Sequence, residues 1–143
     1  MSAVPCPAFR PVRSSPVALA CWLLTLALAS SLLPAGGVLR SVLLAPWLEE
    51  TVLRWGLQDA LLRRLPVHWA PATAWLCALA FGLLHTLAAW GTPDAWRALA
   101  TLWPAWWIGG IYLRQRALLP CIAWHAGFNL LWLTSLNRLW LAT

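Results

Sequence analysis

The chain alternates long apolar runs with short breaks made of proline, glycine and arginine. A membrane span needs about 20 apolar residues. Runs of that order fall at about Pro16 to Leu33, Val38 to Leu62, Pro71 to Trp90, Ala95 to Leu113 and Ala117 to Leu136. The breaks are residues that end helices: Pro34 with Gly36 and Gly37, Arg63 with Arg64 and Pro66, Gly91 with Pro93 and Asp94, and Arg114 with Arg116. Pro71 opens the third run, where a missing N–H costs little, and Pro104 predicts a kink in the fourth. The pattern predicts an all-α fold, a polytopic membrane helix bundle of about five transmembrane helices. Residues 1–15 form a cytoplasmic N-terminal segment and residues 16–143 a single transmembrane domain.

Composition excludes a soluble alternative. Of the 143 residues 62% are apolar and 10% charged, against about 25% charged in average soluble domains. The mean hydropathy is +0.70. A formal charge of +6 would suggest nucleic acid in a soluble protein. Here no nucleic acid is expected, and the charge records orientation in a lipid bilayer. All ten basic residues are arginines. Arg10, Arg13, Arg63, Arg64, Arg114 and Arg116 fall on one side, Arg40, Arg97 and Arg138 on the other, which puts the N-terminus in the cytoplasm. Trp69, Trp90, Trp96 and Trp140 sit near span ends, where amphipathic rings meet the headgroups. Arg10 and Arg13 ahead of a run containing Ala27-Leu28-Ala29 also fit a signal peptide. The run's continuation to Leu33 favours a retained span. Cys6, Cys21, Cys77 and Cys121 form no close pair and read as free thiols.

The informative residues are those that hydrocarbon should exclude. A charge at a helix centre costs at least about 2.5 kcal/mol, which makes an intramembrane ionisable group a functional candidate. Glu49, Glu50 and Arg54 lie in the second run, His85 in the third, and His125 with Asn129 in the fifth. Glu50 and Arg54 are four apart and can pair on one helix face, while Glu49 points about a quarter-turn away, free for chemistry or for a partner on another helix. His125 and Asn129 share a face in the same way, and Phe81 lies one turn before His85.

Each feature also has a bland reading. The Glu50 and Arg54 pair could be a folding staple, a single membrane histidine a hydrogen-bonding residue between helices, and Asn129 packing glue. Asp59 can pair with Arg63, and His68 beside Trp69 reads as interfacial. Convergence on one polar cavity explains what these readings do not, namely why three helices of so apolar a chain each carry such a group.

The residues also resemble a known family. Glu49-Glu50-Thr51-Val52-Leu53-Arg54 is similar to an E-E-x-x-x-R motif, Phe81 to His85 to F-x-x-x-H, and His125 to Asn129 to H-x-x-x-N. These are motifs of the CPBP intramembrane proteases, which include type II CAAX prenyl endopeptidases and bacterial Abi and bacteriocin-processing proteins. Gly109 to Leu113 and Leu119 to His125 resemble the family's approach to its last motif, and the likeness covers roughly Leu39 to Leu131. It implies an intramembrane endopeptidase acting on a membrane-anchored protein or peptide, in a multi-pass protein of the bacterial inner membrane. The small size resembles myxosortase-like members, which process C-terminal sorting signals. By the resemblance Glu49 activates a water with help from His85, His125 and Asn129 form the oxyanion hole, and Glu50 with Arg54 supports the site. No cofactor is favoured. Zinc, if present, would use Glu49, His85 and His125, but asparagine is a poor zinc ligand and a good oxyanion donor. Two departures stand out: members often have six to eight spans, and Arg54 is followed by Trp55 before Gly56. Two other classes stay open, a non-catalytic membrane immunity or scaffold protein with a structural polar cluster, and a small transporter using Glu49.

Overall fold

The computed structural model describes residues 37–136. The N-terminal segment, the first expected span with its cleavage-like pattern, Cys6, Cys21, Arg138 and Trp140 lie outside the described residues. Within them the fold is all-helical and contains no strand.

Four helices account for the four remaining apolar runs. Helix α1 covers residues 38–64 without a break, alternating α turns at Ala45–Glu50 and Asp59–Arg64 with wider π turns at Arg40–Leu44 and Thr51–Gln58. In the wider turns the N–H reaches back five residues, as from Asp59 to the Arg54 carbonyl. Helix α2 spans Ala70–Ala88, entered through a 3₁₀ turn at Val67–Trp69, with Pro71 in its first turn. Gly91, at φ +80°, turns the chain out of it. Helix α3 spans Leu102–Gln115 and α4 Leu118–Leu131, the latter continued by a π turn at Trp132–Leu136.

The fourth run differs from expectation in one respect. Residues Arg97–Thr101 wind as a 3₁₀ turn, so the α-helix starts at Leu102 and Pro104 falls in its first turn. Proline is tolerated there because the first N–H groups have no intrahelical acceptor. The expected mid-helix kink is therefore a helix start.

The helices pack in a ring, α1 on α2, α2 on α3, α3 on α4, and α4 back on the first half of α1. Lipid supplies no hydrophobic drive for helices to associate, so close contact must come from small residues that let backbones approach. Ala74, Ala78 and Gly82 recur every fourth residue on α2 and face Leu102, Ala105 and Gly109 of α3. A Cβ on Gly109 would stand 2.9 Å from the Ala74 Cβ and 3.0 Å from Arg54 Nη1. Larger side chains fill the spaces beside this seam, with Leu53 and Phe81 on one side and Ile108, Ile111 and Tyr112 on the other. Cys77 and Cys121 are buried free thiols, as their spacing suggests.

The outer surface is the inverse of a soluble protein's. Trp75, Leu76, Leu79, Leu83, Leu84 and Leu87 are exposed along α2, Trp103 and Trp107 on α3, and Leu119, Trp124, Leu130 and Leu131 on α4. Soluble monomers rarely expose contiguous apolar faces of that extent. Among the described helices Val67–Ala88, with 22 residues, is long and apolar enough by itself to cross a membrane; Leu118–Thr134 is apolar but shorter.

The seam predicts a sharp contrast between adjacent glycines. Gly109→Val should destabilise the bundle by about 1–3 kcal/mol through overpacking. Gly110→Ala should leave stability unchanged or raise it, since a Cβ there meets nothing within 4 Å. Thermal unfolding of both variants in detergent checks the pair.

Candidate active site

A ladder of polar side chains runs down the inner face of α1. Glu50, Arg54 and Gln58 are spaced four apart, and the mixture of α and π turns keeps them in line. Arg54 is wholly buried and Glu50 is 1% exposed. Burying two charges is tolerable only if both are paired and their remaining donors and acceptors are satisfied. Each of the three Arg54 nitrogens makes a bond. Its Nε donates to Glu50 Oε2 at 2.6 Å, Nη1 to Gln58 Oε1 at 3.0 Å, and Nη2 to the Ala105 carbonyl of α3 at 3.0 Å. Gln58 passes the connection on, donating to the Gly109 carbonyl at 3.1 Å and to Thr73 Oγ1 of α2 at 3.4 Å.

At the other end of the ladder Glu50 reaches α4. His125 Nδ1 donates to Glu50 Oε1 at 2.7 Å, and the opposite ring nitrogen, Nε2, stands 3.3 Å from Glu49 Oε2. Two lone pairs would repel at that separation, so the contact requires a proton on one of the two atoms. Glu50 thus has an arginine and a histidine for partners, while the side chain of Glu49 keeps 32% exposure against 2% for Glu50. His85 donates Nδ1–H to the Phe81 carbonyl at 3.1 Å, which fixes its tautomer and leaves Nε2 as the ring's remaining polar atom. Phe81 packs against both histidines, with ring centroids 4.1 Å from His85 and 5.7 Å from His125. Asn129 donates one amide hydrogen to the Ser41 carbonyl at 2.8 Å, tying α4 to the start of α1.

Glu49, Glu50, His85, His125 and Asn129 line one cavity of about 290 Å³, closed on its apolar side by Pro104, Ile108 and Phe128. Two carboxylates, two imidazoles and a carboxamide are thereby gathered from three helices around one cavity. Such a set can accept a proton from water and offer hydrogen bonds to a carbonyl oxygen.

A family model described as type II CAAX prenyl endopeptidase Rce1-like matches residues 30–131. The chain belongs to this family. It is accordingly an integral membrane protein of the CPBP intramembrane protease group. No curated protein and no solved structure matches it. The matched residues contain every side chain of the ladder and the cavity's carboxylates, histidines and asparagine.

Motif spacing gives these family residues their helices but not their partners. Gln58, Thr73 and the Ala105 and Gly109 carbonyls are absent from the sequence-based set. Gln58 alone carried a signal, standing four residues after Arg54 as Arg54 stands after Glu50. Asp59 is buried and pairs across the bundle with Arg116 at 3.1 Å, more closely than with Arg63 at 3.9 Å. The cross-bundle pair anchors Arg116 in the left-handed conformation, at φ 51°, that ends α3. For zinc, Glu49 Oε2 and His125 Nε2 are close enough to share an ion, but among the described residues no group of three His, Cys, Asp or Glu is placed to hold one.

The ladder predicts a non-additive mutational response. Arg54→Met should cost about 3–5 kcal/mol, because Glu50 is left buried without its cation. Adding Glu50→Leu to Arg54→Met should recover a large part of that loss. Unfolding midpoints of the two single variants and the double variant close the cycle, and simple additivity would contradict the pairing.

Proposed function

We propose that the chain is an intramembrane endopeptidase that hydrolyses a peptide bond of a membrane-anchored protein, either of the CAAX type or at a C-terminal sorting signal. The observation that carries this reading is the divergent environment of two adjacent carboxylates. Glu50 is consumed by Arg54 and His125, whereas Glu49 faces the cavity shared with His85 and Asn129. In the proposed reaction Glu49 takes a proton from a water held between it and His85. The resulting hydroxide attacks the peptide carbonyl, and Glu49 returns the proton to the leaving amine. His125 through Nε2–H and Asn129 through its second amide hydrogen stabilise the oxyanion. Glu50 holds the His125 ring through Nδ1–H, so that with Nε2–H the ring acts as an imidazolium between the two glutamates, and Arg54 holds Glu50.

The donor set favours a mechanism without a resident cofactor. Asn129 on the cavity is a poor zinc ligand and a good oxyanion donor, whereas the Nδ1 bonds of His125 and His85 suit a metal-free and a metal-bound imidazole alike. The remaining proposals concern topology: five spans, the N-terminus in the cytoplasm, and residence in a bacterial inner membrane. The arginine distribution supports the orientation and the exposed apolar faces the spans, while the inner membrane follows from the family resemblance alone.

A farnesylated reporter peptide offered to the purified protein in liposomes tests the reaction. Glu49→Gln should lower cleavage by about 10² to 10⁴-fold with an unchanged melting temperature, and His85→Ala should also lower it. A metal chelator should leave the rate unaltered. Stoichiometric zinc with chelator-sensitive cleavage would move Glu49, His85 and His125 to a metal-binding role. Wild-type cleavage by Glu49→Gln would remove Glu49 as the base, and no cleavage by the wild type would favour the scaffold reading.

A further inference from the structure

A second cavity, of about 270 Å³, lies between α2 and α3 and shares no lining residue with the first. Its walls are tryptophan. Trp75 of α2 stacks on Trp106 of α3 with centroids 5.0 Å apart and planes 29° from parallel, and Trp107 lies alongside. Trp75 and Trp107 are each 49% exposed, so the cavity opens on the face the bundle turns towards lipid. Its floor includes Gly110, where a Cβ would meet nothing within 4 Å. Arg114 stands at one end, two α-helical turns from Trp107, a length of about 10 Å at the rise of an α-helix.

That end of the bundle is strongly basic. Arg63 and Arg64 close α1, and Arg114 and Arg116 close α3. The one carboxylate there is Asp59, which pairs with Arg116 and more distantly with Arg63. The other three acidic residues are Glu49 and Glu50 in the first cavity and Asp94 in the turn after α2. Arg64 and Arg114 are exposed and have no ion pair among the described residues. An aromatic-walled slot that runs about 10 Å along α3 beneath an unpaired guanidinium matches a phosphodiester headgroup with one of its acyl chains below it. Guanidinium is the side chain best suited to bind phosphate through two parallel hydrogen bonds, and basic pockets between membrane helices favour anionic lipids.

We propose that this groove is a binding site for an anionic phospholipid, its phosphate on Arg114 and an acyl chain against Trp75, Trp106 and Trp107. The site depends on the chain's residence in a membrane and not on peptide cleavage. Native mass spectrometry of the protein released from vesicles of equal phosphatidylglycerol and phosphatidylethanolamine tests it. The anionic lipid should be retained about fivefold over the zwitterionic one, the preference that one arginine near a charged surface gives. Arg114→Ala should abolish the preference. Gly110→Leu, whose Cβ meets nothing within 4 Å and whose branch enters the groove, should reduce retention of both lipids. Equal retention of the two lipids by the wild type would overturn the proposal, as would a preference undiminished by Arg114→Ala or a retention undiminished by Gly110→Leu. A lipid-free dimer broken by Gly110→Leu would assign the groove to a second copy of the chain instead. Each outcome is read on lipid or mass alone, whether or not the reporter peptide is cleaved.

Discussion

Everything in the described bundle is arranged around one arginine that has no access to water. A guanidinium in hydrocarbon is stable only when its charge is paired and its N–H groups have acceptors. Arg54 finds the charge on its own helix, four residues back, and an acceptor four residues forward. Its third nitrogen, Nη2, takes the Ala105 carbonyl of α3. That requirement sets the distance between α1 and α3, and the small residues of the α2 and α3 seam follow from it. At Gly109 any side chain would press on both Ala74 and the guanidinium. The close seam and the buried ion pair are thus one constraint seen from two helices.

The same constraint divides labour between Glu49 and Glu50. One carboxylate must balance Arg54, and helix spacing selects Glu50. Its second oxygen is then free to hold His125 Nδ1, which turns Nε2 towards Glu49. A polar chain therefore runs from Gly109 of α3 through Gln58, Arg54, Glu50 and His125 to Glu49, with every link between 2.6 and 3.3 Å. Charge is neutralised within it up to its last member. Glu49 meets the cavity as the terminal group of a rigid network, which is the kind of support a positioned catalytic group needs.

The helices and their inward residues were largely legible in the sequence, because proline, glycine and arginine mark the ends of apolar runs and i,i+4 spacing marks faces. Glu50 with Arg54 and Phe81 with His85 are both local pairs of that kind. What spacing cannot supply is the register between helices. It therefore missed the backbone carbonyls of Ala105 and Gly109, the Thr73 contact, and the bond from Asn129 to Ser41, each of which joins residues far apart in the chain. The π turns of α1 were equally hidden, since they alter hydrogen bonding without altering composition. Pro104 was misplaced for a related reason: an apolar 3₁₀ turn at Arg97–Thr101 and an apolar α-helix have the same hydropathy, and only the backbone distinguishes them.

Asn129 shows how the fold constrains the chemistry it can perform. Its carboxamide has two N–H groups, and one is committed to the Ser41 carbonyl, on a stretch of α1 wound with π turns. A wider turn displaces carbonyls from their ordinary acceptor pattern and makes one available to a neighbouring helix. Asn129 is held by that bond with its other N–H unspent, while His125 is held by Glu50 with Nε2 turned to Glu49 on the cavity. Both side chains are therefore fixed from behind, by groups that do not change during hydrolysis. A donor oriented in advance avoids the reorganisation that water would require when charge develops on a carbonyl oxygen. In so apolar a bundle the supporting partners had to be backbone carbonyls and one buried ion pair, because few other polar groups are available to do the work.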